Sequence, residues 1–116
     1  MKYGIKFKNT KGDSETLALL DDCVEQQLGR YRDQLQEARV TLTRMVSPGQ
    51  DDLFHCRVII KLSKLRKVSV VERSRNKQRA LESAFSYARI AVHKKLARAQ
   101  KGSTQQPTAL GDPLSA

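Results

Sequence analysis

The chain has 116 residues, 29% of them charged and 5% aromatic, with a net charge of +10 at pH 7. That length suits one domain with one core; no apolar run approaches the ~20 residues needed to cross a bilayer, and the residues after Met1 lack the apolar stretch of a secretory signal, so a soluble cytoplasmic protein is expected. Cys23 and Cys56 each fall in line with apolar neighbours and have no CxxC or Cys/His spacing, so they read as buried reduced thiols rather than a disulfide or metal ligands.

In chain order, Tyr3, Ile5 and Phe7 alternate with Lys2, Lys6 and Lys8, the period-2 pattern of a half-buried strand. Asn9–Asp13 is turn chemistry, and Asp13 or Ser14 is a credible N-cap with Glu15 in the first turn. Leu17, Leu20, Val24, Leu28, Tyr31 and Leu35 then recur at helical steps, predicting one amphipathic helix of about five to six turns, weakened at Gly29, with Asp21, Asp22, Glu25 and Gln26 outward. Ala38, Val40 and Leu42 alternate with Arg39, Thr41 and Thr43 as a second strand. Ser47-Pro48-Gly49 breaks the chain. Phe54, Cys56, Val58, Ile60 and Leu62 mark a third strand, and after a basic turn at Ser63–Arg66, Val68 and Val70 mark a fourth. The last helix is predicted over Asn76–Gln100 on Leu81, Phe85, Ala88 and Val92, with Gly102 as its C-cap. Residues 102–116 have turn formers without periodicity and read as a disordered tail, leaving 1–101 as the folded domain.

The order β-α-β-β-β-α predicts an α+β fold. A right-handed crossover makes strands one and two parallel, the next three strands form an antiparallel meander, and both helices pack on one face of a four-stranded sheet. The other face would carry Lys6, Lys8, Arg39, Thr41, Thr43, Arg57, Lys61, Lys67 and Ser69 in water. Ile59 and Val71 fall on that face too.

Charge is unevenly placed. Residues 1–56 carry eight Lys/Arg and nine Asp/Glu, whereas 57–101 carry fourteen Lys/Arg against only Glu72 and Glu82. Such an excess repels itself within a fold, so it makes sense as a footprint for a polyanion. Arg73, Arg75, Lys77 and Arg79 crowd the start of the last helix, where free backbone N–H groups also favour phosphate. At ~100° per residue, Tyr87, Lys94, Arg98 and Lys101 share a stripe opposite the apolar face, extended by Ile90 and His93. Tyr87 either stacks on a base or covers the rim of the core.

No catalytic constellation is evident. His55 adjoins Cys56 on a strand, so their side chains leave opposite faces. His93 stands alone, and there is no phosphate-cradling glycine motif. An enzyme is not expected, nor a cofactor, a small-molecule substrate or a membrane partner.

The chain also resembles the ribosome hibernation factors, the group that includes the short hibernation promoting factor and the ribosome-associated inhibitor once called a sigma-54 modulation protein. The resemblance covers roughly residues 3–100. It rests on the opening strand ending near Asn9, the SETLALLDDCVEQQLGRY segment, RVTLTRM, the pair LFHCRVIIKL and KVSVVERS, then ALESAF and the basic finish HKKLARAQK. Asn76/Lys77 and Ser86-Tyr87-Ala88 depart from the family, which commonly has acidic residues there, and mark a divergent form. The resemblance implies a shape similar to double-stranded-RNA-binding domains. It also implies binding to small-subunit rRNA between head and body, where mRNA and tRNA are excluded and translation is silenced in idle ribosomes. Carried over, the RNA-contacting positions are Arg73, Arg75, Lys77, Arg79, Arg89, Lys94, Lys95, Arg98 and Lys101, with Lys6, Lys8, Lys61 and Lys67 as second rank. The chain ends without the C-terminal domain of long forms, so self-dimerisation through such a domain is not expected and a free monomer is. Two other readings compete: a general structured-RNA-binding module or RNA chaperone, and a protein–protein adaptor using the sheet face.

Overall fold

The computed structural model describes the backbone of residues 1–104 and the side chains of residues 1–99. Its elements are β1 (Lys2–Lys8), α1 (Ser14–Cys23), a π-helical turn (Val24–Leu28), a 3-10 helix (Gly29–Gln34), β2 (Leu35–Met45), β3 (Leu53–Leu62), β4 (Val68–Ser74) and α2 (Lys77–Thr104). The strands form one sheet in the order β1-β2-β3-β4. β1 runs parallel to β2, and the β2/β3 and β3/β4 pairs are antiparallel. The α+β architecture, strand order and parallel crossover agree with the sequence reading.

Alternation explains which face is buried. Ala38, Val40 and Leu42 on β2, Cys56, Val58, Ile60 and Leu62 on β3, and Val68 on β4 close against Leu20, Val24 and Leu28 from the first helical segment and Ala84, Phe85, Ala88 and Val92 from α2. Both helices lie on this face. Val71 is 37% exposed and Ile59 half-buried on the other, as the pattern predicts. The two cysteines are free thiols inside the core, where burial pushes Cys23 up to about 11 and Cys56 up to about 12. Both are therefore protonated at neutral pH.

The first helical segment differs from the single helix expected. The inward positions Leu20, Cys23, Val24, Leu28 and Tyr31 hold, but the chain widens into a π-helical turn at Val24 and tightens into a 3-10 helix at Gly29. Leu35 already belongs to β2, opposite Leu62, and there the ladder is irregular up to Glu37. Leu17 is 46% exposed, and Thr16 takes the inward place one residue earlier. At the other end, α2 continues through Gly102 to Thr104 rather than capping there. The rest of the expected tail, 105–116, lies outside the described residues.

The two helix N-termini meet at one end of the sheet. Asp13 caps α1, accepting from the Thr16 backbone N–H at 2.7 Å, and its other oxygen accepts from Lys77 Nζ at 3.1 Å, so the first residue of α2 is tied to the cap of α1. Asn76 caps α2, its side chain accepting from the Arg79 backbone N–H at 3.0 Å. Gly12 allows the β1–α1 connection to pass over Phe7, since a Cβ there would sit 2.7 Å from the ring. Hydrogen bonding from Thr16 first, and then Lys77, lowers the Asp13 carboxyl from 3.8 to about 2. A lowered carboxylate stabilises the fold in full above its unfolded value and loses that contribution as pH falls through the folded value. Asp13→Ala is therefore expected to lower the melting temperature at pH 7 and to flatten its fall between pH 4 and pH 2. Asp13→Asn, which keeps the cap but not the ion pair, should lie between.

Candidate nucleic-acid interface

The register places the helix-free face of the sheet in rows. Lys2 on β1 stands beside Glu37 on β2 and Lys61 on β3; Gly4 beside Arg39 and Ile59; Lys6 beside Thr41, Arg57 and Val71; Lys8 beside Thr43, His55 and Arg73. Glu37 is the only carboxylate among these positions. It accepts from Arg39 Nε at 2.9 Å and lies 3.9 Å from Lys61 Nζ, and the Arg39 guanidinium beside it holds its carboxyl below the usual range. Lys6, Lys8, Arg57 and Arg73 have no carboxylate within ion-pair distance among the described residues. A depression of about 550 Å³ opens at Gly4, ringed by Lys2, Lys6, Lys8, Arg39 and Arg57 with Thr41 and Ile59 below.

The second cationic surface is the outer flank of α2. Tyr87 is 54% exposed and Ile90 40%, in line with exposed Arg79, Lys94 and Arg98. Where α2 passes the start of β4, Lys94, Lys95 and Arg98 share a depression of about 570 Å³ with Leu65, Lys67 and Ser69. Residues distant in sequence thus form one basic patch on this flank.

Other predicted residues are placed differently. Arg73 belongs to β4 on the open sheet face, not to the start of α2. Arg75 lies 3.7 Å from Asp51 in an exposed pair. Lys77 is spent on Asp13, with only 25% of its side chain exposed. Arg89 faces the first helical segment, its Nε donating to Gln27 Oε1 at 2.9 Å. His93 is not alone: its Nδ1 shares a 3.0 Å hydrogen bond with the Tyr31 hydroxyl. The side chain of Lys101 lies outside those described. Arg57, His55 and Arg39 join the open face without having been singled out as binding residues. The signal was available in their alternation, but cross-strand register was needed to set them beside Lys6 and Lys8.

Negative charge gathers elsewhere. The groove between the helices, about 590 Å³, is lined by Asp22, Glu82, Gln26, Gln27, Ser83 and Ser86. Asp21, against Tyr3 of β1, and Glu25 are also exposed on the first helical segment, so negative potential gathers on the helix side and positive potential on the open sheet face and the outer flank of α2. Among the described residues no helix is long and apolar enough to cross a membrane, and no group of three or more His, Cys, Asp or Glu is placed to hold a metal ion.

These features define an α+β domain with a mixed four-stranded sheet, both helices on one face and cations on the other, the fold of the ribosome hibernation factors. No family model and no curated protein sequence matches the chain. Among solved structures it is similar to a ribosomal subunit interface protein from Coxiella burnetii, with a TM-score of 0.68 at 11% identity over 84% of this chain and 99% of that one. It is also similar to the N-terminal domain of Protein Y from Thermus thermophilus, with a TM-score of 0.64 at 18% identity over 80% of this chain and 93% of that one. At these identities the likeness is one of fold, and it agrees with the resemblance drawn from the residues.

Proposed function

We propose that this protein associates with the ribosome, binding rRNA of the small subunit and, once seated, excluding mRNA and tRNA by occupying their space. The observation that carries the reading is the display of Lys6, Lys8, Arg57, Arg73, Lys94 and Arg98, none with a carboxylate partner among the described residues, on a fold similar to that of a ribosomal subunit interface protein. Cations without internal partners are available to phosphate, and each phosphate neutralised releases counterion. In this reading the protein is a cytoplasmic monomer until it binds, and it acts by steric exclusion rather than by catalysis.

The test is co-sedimentation with purified small subunits over a salt series. Binding should weaken steeply with salt, by roughly 10³–10⁵ between 50 and 200 mM if 6–10 phosphates are engaged. It should also be lost when mRNA and tRNA already fill the subunit. Equal affinity for free duplex RNA would instead make this a general RNA-binding module, and a salt-insensitive complex would make it a protein adaptor.

A further inference from the structure

Two neighbouring rows on the open sheet face repeat one chemistry. In the first, Lys6 and Arg57 flank the hydroxyl of Thr41; in the second, Lys8 and Arg73 flank Thr43 and His55. Rows are two residues apart, about 7 Å along a strand, and strands lie about 4.8 Å apart. Lys6 and Arg57 stand two strands apart, about 10 Å, and can close on one anion above Thr41; Lys8 and Arg73 stand three strands apart, about 14 Å, and reach an anion over Thr43 and His55 from opposite sides. The 7 Å step is comparable to the separation of consecutive phosphates along an extended nucleic-acid strand.

We propose that these two rows are adjacent phosphate seats that take consecutive phosphates of a single RNA strand lying across the sheet, with the depression at Gly4 receiving the sugar or base attached to the first. The inference rests on the ribosomal reading and makes it specific: the strand is single, and its path runs over the open sheet face. Three observations support it. The depression exists because Gly4 contributes no side chain, and an added Cβ would meet nothing within 4 Å. The sole carboxylate at its edge, Glu37, is already engaged by Arg39. In the second row His55 is half-buried, and burial first, then Arg73 and Arg57, lowers its pKa, so the imidazole is neutral at pH 7 and becomes more basic when an anion offsets those arginines. The groups facing it are Thr43 from β2, Arg73 from β4 and Arg57 on its own strand, with Lys8 at the far end of the row.

Gly4→Val separates a built seat from diffuse attraction, because it fills the depression without changing charge. The position is open and valine suits a strand, so the variant should fold. The probes are a single-stranded oligouridylate, free UTP and purified small subunits, each with the full chain. Gly4→Val is expected to weaken oligouridylate and small-subunit binding by about tenfold, the loss of the sugar or base contact in the depression. Lys6→Ala with Arg57→Ala, and Lys8→Ala with Arg73→Ala, should each lower the salt slope for the oligonucleotide by about 0.7, one phosphate apiece. The His55 ring should titrate at higher pH with oligouridylate bound than without it.

Wild-type binding to subunits that Gly4→Val leaves unchanged would overturn this inference and leave the ribosomal reading standing. Oligouridylate binding that is lost in Gly4→Val, without any affinity for subunits, would support the seats and sink that reading. UTP binding as tightly as the oligonucleotide, or no oligonucleotide binding at all, would overturn the strand path.

Discussion

Replacing Phe85 with alanine is expected to cost about 3–5 kcal/mol of folding stability. Phe85 is fully buried in the N-terminal third of α2, with relative exposure 0%, and it heads the largest side chains of the core. It belongs to the buried cluster that α2 forms with β3 and β4, which also contains Val58, Ile60, Leu81 and Val92. A loss of that size is a large share of the ~5–15 kcal/mol that holds a domain of this kind together. With a shift of roughly 4–8 °C per kcal/mol for a small domain, the melting temperature should fall by more than about ten degrees. Phe85→Leu, which leaves a smaller void, should lose less than half as much. Urea unfolding followed by circular dichroism checks both, and an alanine variant within 1 kcal/mol of the parent (a limit set by the range of core truncations) would mean that this helix does not seal the core.

Much of this architecture can be read from alternation and helical spacing. Strand β3 is the clearest case: from Cys56 to Leu62 the residues Cys56, Val58, Ile60 and Leu62 are buried while Arg57 and Lys61 are exposed, following the period of two, although at its start Leu53, Phe54 and His55 are all half-buried. The buried line Leu81, Phe85, Ala88 and Val92 is as legible, because helical periodicity is a local property of the chain. The first helical segment was less legible because its apolar spacing continues into a strand. Leu35 fits the helical step, but Leu62 on β3 claims it for the sheet, and a pairing between residues so far apart leaves no mark on local periodicity.

The site was legible as a charge imbalance and not as a surface. Lys77 and Arg89 count as cations in any composition, yet one meets a carboxylate 64 residues earlier and the other an amide 62 residues earlier. Both are thereby drawn towards structural roles. Arg57 and Arg73 gain importance for the converse reason, since the register sets them beside lysines of a different strand. Long-range pairing decides which cations remain available, and sequence position alone does not carry it.

That distinction gives the largest expected effect on binding. If the proposed function holds, reversing Lys94, Lys95 and Arg98 to glutamate should weaken attachment to small ribosomal subunits by on the order of a hundredfold or more at low salt, since attractions to phosphate are replaced by repulsions. The three residues share one depression with Lys67, off the buried line of α2, so circular dichroism and the unfolding midpoint should change little. Reversing Lys77 should do the opposite, disturbing stability through Asp13 more than binding. Raising salt should narrow the gap between the triple variant and the parent, because the contrast is electrostatic. A triple variant that sediments with subunits as the parent does would remove the flank of α2 from the interface and leave the open sheet face to carry it alone.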